Sequence, residues 1–155
     1  MSIPLFPKAP QKHSFAGINV RYILRFKKSI NKDKTETMNK LDAYKMDGLG
    51  NDFIIIDQRK QQPNLSKNQI IKICDRNFIG CDQLILIKKN RKIDAGLEFY
   101  NSDGSVSSAC GNGTRCVADL LAKEKNKKKI ILWTSGGILK SKIFDDNIVE
   151  TEIGV

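Results

Sequence analysis

Two apolar runs with almost no polar interruption stand out along the chain: residues 53–57 (FIIID) and 84–87 (LILI). Short β-branched and aliphatic runs bounded by Gly, Asn and Asp predict strands. Between them, residues 64–77 repeat apolar positions at helical spacing, with Ile70, Ile73 and Cys74 on one stripe and Ile71 widening it. Ser66 suits the N-cap of that helix, because its hydroxyl can accept an unpaired backbone N–H. Residues 90–94 turn the chain, and Leu97 and Phe99 then alternate with Glu98 and Tyr100 as a half-buried strand does. A Ser/Asp/Gly-rich loop, residues 101–112, leads into a helix over about residues 113–124, with Cys116, Val117, Leu120 and Leu121 on its apolar face. A charged turn at 126–129 closes it. Residues 130–133, 138–143 and 148–153 predict three more strands, with turns at Ser135-Gly136-Gly137 and Asp145-Asp146-Asn147. Such a meander leaves an edge that must be covered, which leads us to expect a fold cut short.

Residues 1–37 differ from this pattern. They hold Pro4, Pro7 and Pro10, a short mixed stretch over residues 17–26, then Lys and Asn. The patterned domain is expected to begin near Met38, with 1–37 a poorly ordered basic extension or the product of a misread start. The chain carries a net charge of +10, and residues 1–36 alone contain eight Lys/Arg against two acidic residues. A basic arm can bind nucleic acid or an anionic surface, but no nucleic-acid motif accompanies it, so a solvated Lys-rich segment is the simpler reading. No run of about 18 apolar residues suggests a membrane span. Cys74, Cys81, Cys110 and Cys116 lack the Cys-x-x-Cys spacing of a zinc site, and the only histidine, His13, is remote from them. No secretory signal is visible. Reduced thiols and a cytoplasmic location are therefore expected, without a metal, a nucleic-acid partner or a membrane.

The densest chemistry lies in residues 100–116, YNSDGSVSSACGNGTRC. Cys110 precedes Gly111-Asn112-Gly113 and then a helix. A thiol at a helix N-terminus meets the positive end of the helix dipole and unpaired N–H groups, which favour the thiolate. The glycines let the backbone approach an anion such as a carboxylate. A base beside an anion clamp is what proton abstraction next to a carboxylate requires; the alternative is a small cysteine buried in a turn. Cys116, Cys74 and Cys81 read as packing residues. Gly48-Leu49-Gly50-Asn51-Asp52 and Gly80-Cys81-Asp82-Gln83 add polar loops at the ends of apolar strands. No helix follows the first of these, so a dinucleotide-binding reading fails on context.

Three blocks, KMDGLGNDFIIID (45–57), IGCDQLILI (79–87) and FYNSDGSVSSACGNGTRC (99–116), resemble the signatures of the diaminopimelate epimerase family in order and spacing. The resemblance covers residues 38–155. It implies an α+β fold with an antiparallel sheet curled around a central helix, one half of a pseudo-symmetric two-domain enzyme. It also implies cofactor-independent interconversion of LL- and meso-diaminopimelate by two cysteines on opposite faces of the stereocentre. On this resemblance Cys110 is one acid/base thiol. Asn51, Gln83 and Asn101 contact the substrate, and Gly111 and Asn112 clamp its reacting carboxylate. The family usually carries His where Asp47 stands. The expected divisions are 38–128 for the first domain and 129–155 for opening strands of a second, whose cysteine has no counterpart in this sequence. The chain alone is accordingly expected to be inactive or nearly so. A homodimer is left open. The alternatives are a related amino-acid racemase of the proline-racemase kind and a non-catalytic basic binding module.

Overall fold

A computed structural model describes residues 19–27, 40–60, 64–145 and 148–152. In chain order these form β1 (Asn19–Lys27), β2 (Lys40–Gly48), β3 (Asn51–Asp57), α1 (Lys67–Cys74), β4 (Gln83–Lys88), β5 (Ala95–Asn101), β6 (Val106–Ser107), α2 (Gly111–Lys125), β7 (Lys129–Thr134), β8 (Gly137–Ile143) and β9 (Val149–Glu152). One curled sheet runs β1–β2–β3–β4–β5–β7–β8–β9, with the short β6 on β5.

The class is α+β, with α2 against the inner face of the sheet. The sheet is not purely antiparallel, as the resemblance implied. β3 pairs with β4, and β5 with β7, in parallel. Parallel neighbours need a crossover connection, and α1 and α2 provide the two. The first crossover explains the uninterrupted apolar runs. Phe53 and Ile55 of β3 and Ile85 and Ile87 of β4 face Cys116, Val117, Ala118 and Leu121 of α2. Ile54, Ile56, Leu84 and Leu86 face Ile70, Ile73 and Cys74 of α1. Strands covered on both faces have no solvent side for polar residues. Burying each Phe, Ile and Leu side chain of these two strands contributes about 1.5–3 kcal/mol.

Ser66 caps α1 as expected. Its hydroxyl accepts the Gln69 N–H at 3.4 Å, while Gln69 Oε1 accepts the Ser66 N–H at 2.9 Å. Ile71 lies off the buried stripe and is exposed, so the apolar face of α1 is narrower than the sequence indicates. Asn126, in the left-handed region at φ 51°, ends α2. The three strands after α2 form at the expected places, and the Ile130/Leu132/Thr134 alternation buries one face of β7.

Two stretches read differently in sequence and structure. Residues 19–27, within the basic extension, form the strand beside β2. Across the division expected at residue 129 the sheet continues unbroken, since Ala95 and Gly96 of β5 pair with Leu132 and Trp133. Ile143 and Val149 join the cluster around α2. The turn expected at 145–147 lies in part, and residue 153 wholly, outside the described residues. No helix among the described residues is long and apolar enough to cross a membrane.

Candidate active site

The strand directions bring the polar loops to one end of the sheet. β2 ends at Gly48, β3 and β4 begin at Asn51 and Gln83, and β5 ends at Asn101. Gly48 pairs with Asn51, Phe53 with Gln83, and Gln83 with Asn101. The first turn of α2 is laid over these ends. A Cβ on Gly113 would fall 2.7 Å from Ile85 Cδ1 and 3.3 Å from the rings of Phe53 and Phe99. One on Gly48 would fall 3.1 Å from Cys116 Sγ and 3.5 Å from the Asn112 carbonyl oxygen. Only residues without a side chain let the helix start so close to the strands. The β2–β3 turn itself holds Leu49 and Gly50 at φ 50° and 88°, and Leu49 carries the strain of a left-handed backbone while exposed to solvent.

Cys110 is the N-cap of α2. Its extended backbone (φ −149°, ψ 110°) turns the chain into the helix, and its sulfur accepts the Gly113 N–H at 3.4 Å. Its carbonyl accepts the Thr114 N–H at 2.8 Å and the Thr114 hydroxyl at 2.7 Å. Cys110 is half-buried, whereas the other three thiols are buried, and all four are free. The N–H groups of Gly111 and Asn112 have no intrahelical acceptor, as at any helix start.

The remaining expected residues fall into two bonded sets. In the first, Asn112 Nδ2 donates to Asn51 Oδ1 at 2.7 Å, and Asn51 Nδ2 donates to Asp82 Oδ2 at 3.3 Å. Arg115 donates to Asn112 Oδ1. In the second, Gln83 Nε2 donates to Asn101 Oδ1 at 2.8 Å, and Asn101 Nδ2 donates to Ser105 Oγ at 3.0 Å. All six expected residues thus lie at the same end of the sheet.

Sequence reasoning missed the supports. Asp82 links Asn51 to an ion network: Arg76 reaches Asp52 through both nitrogens at 2.6 and 2.8 Å and Asp82 at 2.7 Å, and Lys45 Nζ lies 3.1 Å from Asp52. Burial alone would raise the Asp52 pKa, but Arg76 and Lys45 outweigh it and hold it down to about 2. Asp82 and Arg115 stand inside the quoted blocks, so the blocks were the available signal. The resemblance implies only a backbone role for Asn112, yet its side chain joins Asn51 to Arg115.

Cys116 differs from the half-buried Cys110 in exposure. It is wholly buried on α2. Burial, with the Asp47 and Asp119 carboxylates nearby, pushes its thiol up to about 12. The Asp47 carboxylate thus disfavours a Cys116 thiolate. Asp119 is itself fully buried and accepts Lys123 Nζ at 2.8 Å.

A curled sheet around a central helix, with polar loops and a cysteine gathered at that helix's N-terminus, defines the diaminopimelate epimerase-like fold class. Solved structures share the fold at low identity. A phenazine biosynthesis protein of the PhzF family from Bacillus anthracis matches with a TM-score of 0.53 and 16% identity over 74% of this chain and 40% of its own. Within that class the chain belongs to the diaminopimelate epimerase family, whose model matches residues 43–155. The diaminopimelate epimerase of Pelagibacter ubique (strain HTCC1062) is 73% identical over 115 residues, 74% of this chain and 42% of that protein. The enzyme of Acidiphilium cryptum (strain JF-5) is 41% identical over 111 residues, 71% of this chain and 40% of its own length. The chain therefore spans about two fifths of the length of these relatives.

Proposed function

We propose that this chain supplies one acid/base half of a cofactor-independent diaminopimelate epimerase, with Cys110 the thiol that acts on one face of the α-carbon. The observation that carries the reading is the cap: a half-buried cysteine sulfur that accepts a first-turn N–H of α2. As a thiolate, Cys110 Sγ takes the α-proton from the carbon beside the substrate carboxylate. Charge developing on that carboxylate is met by the N–H groups of Gly111 and Asn112, fixed in place before the reaction. The side chains of Asn51 and Asn112, and of Gln83 and Asn101, bond to one another in the free protein, and a bound amino acid can exchange for those partners.

Inversion needs a second acid on the opposite face. Cys116 is buried with a raised pKa, and Cys74 and Cys81 are buried in the α1 cluster, so the second thiol comes from outside these 155 residues. This chemistry belongs to lysine and peptidoglycan synthesis and to a reducing cytoplasm.

The test is incubation of LL-diaminopimelate with the chain in deuterated water. One thiol returning deuterium to the face it deprotonated gives exchange with retention and no meso product. Robust conversion to the meso isomer contradicts the one-thiol assignment and points to two copies of Cys110 across a shared cleft.

A further inference from the structure

Two thiols that the proposed epimerase chemistry leaves unused lie in contact. Cys74 is the last residue of α1, and Cys81 stands just before β4. Both are buried, and the Cys81 thiol donates to Cys74 Sγ at 3.4 Å. The chain between them is closed at its base: the Cys81 N–H donates to the Cys74 carbonyl at 3.2 Å, and the Gly80 N–H to the Ile73 carbonyl at 3.1 Å. Two cysteines packed sulfur to sulfur at the mouth of a tight loop are more than apolar filler.

We propose that Cys74 and Cys81 form a dithiol modification site that hydrogen peroxide oxidises to an intramolecular disulfide. The sulfurs need approach by only about 1.4 Å to reach bonding distance, and the backbones are already bonded to each other. The two thiols are also unequal. The hydrogen bond from Cys81 lowers the Cys74 pKa against the effect of burial, with Arg76 adding to it. Donating that bond, together with burial, raises Cys81. Cys74 is therefore the nucleophile and Cys81 the proton-bearing partner.

In the first step the Cys74 thiolate attacks one peroxide oxygen. The O–O bond breaks, the departing hydroxide takes a proton from solvent to become water, and Cys74 becomes a sulfenic acid. Cys81 sulfur then attacks Cys74 sulfur. The S–O bond breaks, and the departing hydroxide leaves as water with the Cys81 proton. Two thiols lose two electrons, and one peroxide gains them as it becomes two waters. The exposed residues Asp75, Arg76, Asn77 and Phe78 span the loop over the pair, and its local opening admits an oxidant of this size.

The experiment does not depend on the epimerase reading. The full chain is titrated with hydrogen peroxide under native conditions, freed of residual peroxide with catalase, then alkylated with iodoacetamide in guanidinium chloride and digested with trypsin. The expected result is loss of two hydrogen atoms per chain, mapped to a cross-link between the peptides 73–76 and 77–88, and reversed by dithiothreitol. Loss of alkylation at Cys74 and Cys81 should occur together. In C81A the two-hydrogen loss disappears, and a sulfenic acid at Cys74 is trapped by dimedone. Independent oxidation of Cys74 and Cys81 to sulfinic acids in the wild-type chain, or a cross-link that forms only in urea, overturns the proposal; the wild-type map decides it even if C81A does not fold.

Discussion

The two ends of α2 are built from different materials. At its N-terminus a cysteine caps the helix, and amides of the helix and the adjoining strand ends bond in pairs, Asn112 to Asn51 and Gln83 to Asn101, with the charged Asp82 and Arg115 behind the first pair. At its C-terminus the contacts are ionic. Glu124 accepts Arg59 Nη2 at 2.6 Å and Lys60 Nζ at 3.2 Å, and Arg59 also grips the buried Asp57. Lys125 and Lys127 reach Asp94 at 2.8 and 3.2 Å. Lysines there suit the negative end of the helix dipole. Amide pairs exchange readily for a ligand's polar groups, whereas a buried carboxylate gripped by a guanidinium does not. One helix is thus anchored at one end and left open to chemistry at the other.

Substitutions at the two ends should separate function from stability. The largest effect is expected for Cys110→Ser. Serine is a good N-cap, so stability in urea should hold, while deuterium exchange at the diaminopimelate α-carbon should fall by about 10²–10⁴-fold. At the anchored end, Arg59→Met strands a buried carboxylate and should cost about 3–5 kcal/mol in urea unfolding.

The same substitution has a pH signature. Burial would raise the Asp57 pKa, but the hydrogen bonds and charge of Arg59 bring it below its ordinary value. A depressed carboxylate pKa contributes stability that is present above the unfolded pKa of about 3.9 and is lost as pH falls through the folded value. The wild-type chain should therefore lose stability below about pH 4, and Arg59→Met should lose less of it over that range. Urea midpoints measured from pH 2 to pH 7 check this.

Gly113→Ala drives a methyl into Ile85 and should cost about 1–2 kcal/mol, slowing exchange through displacement of the Cys110 cap. The smallest effect is expected for Asn126→Gly. It relieves a left-handed L-residue but adds freedom to the unfolded chain, and should shift stability by about 0.5 kcal/mol or less.

Much of this architecture was legible because period and composition report it. The runs at 53–57 and 84–87, the Ser66 cap and the β7–β8 hairpin all follow from local rules. The parallel pairing of β3 with β4 was legible in principle too, since two uninterrupted apolar runs flank a helix. β1 was not, because residues 17–26 mix Arg, Tyr and Ile without a clean alternation. The two-residue β6 is too short to announce itself within a Ser/Gly loop. At the site, motif blocks located Cys110, Asn51, Gln83, Asn101, Gly111 and Asn112. Their mutual partners were not readable: the Asn112–Asn51 bond joins residues 61 apart, and only the folded sheet end brings them together.

The central claim is that the capped Cys110 is the reacting thiol of a site that holds a diaminopimelate carboxylate. Its most direct test is alkylation of the four thiols by iodoacetamide in the native chain, read residue by residue by mass spectrometry, with and without diaminopimelate. Preferential modification of Cys110, slowed by diaminopimelate while Cys74, Cys81 and Cys116 stay protected throughout, is the predicted result. A Cys110 rate that saturating diaminopimelate leaves unchanged would contradict it.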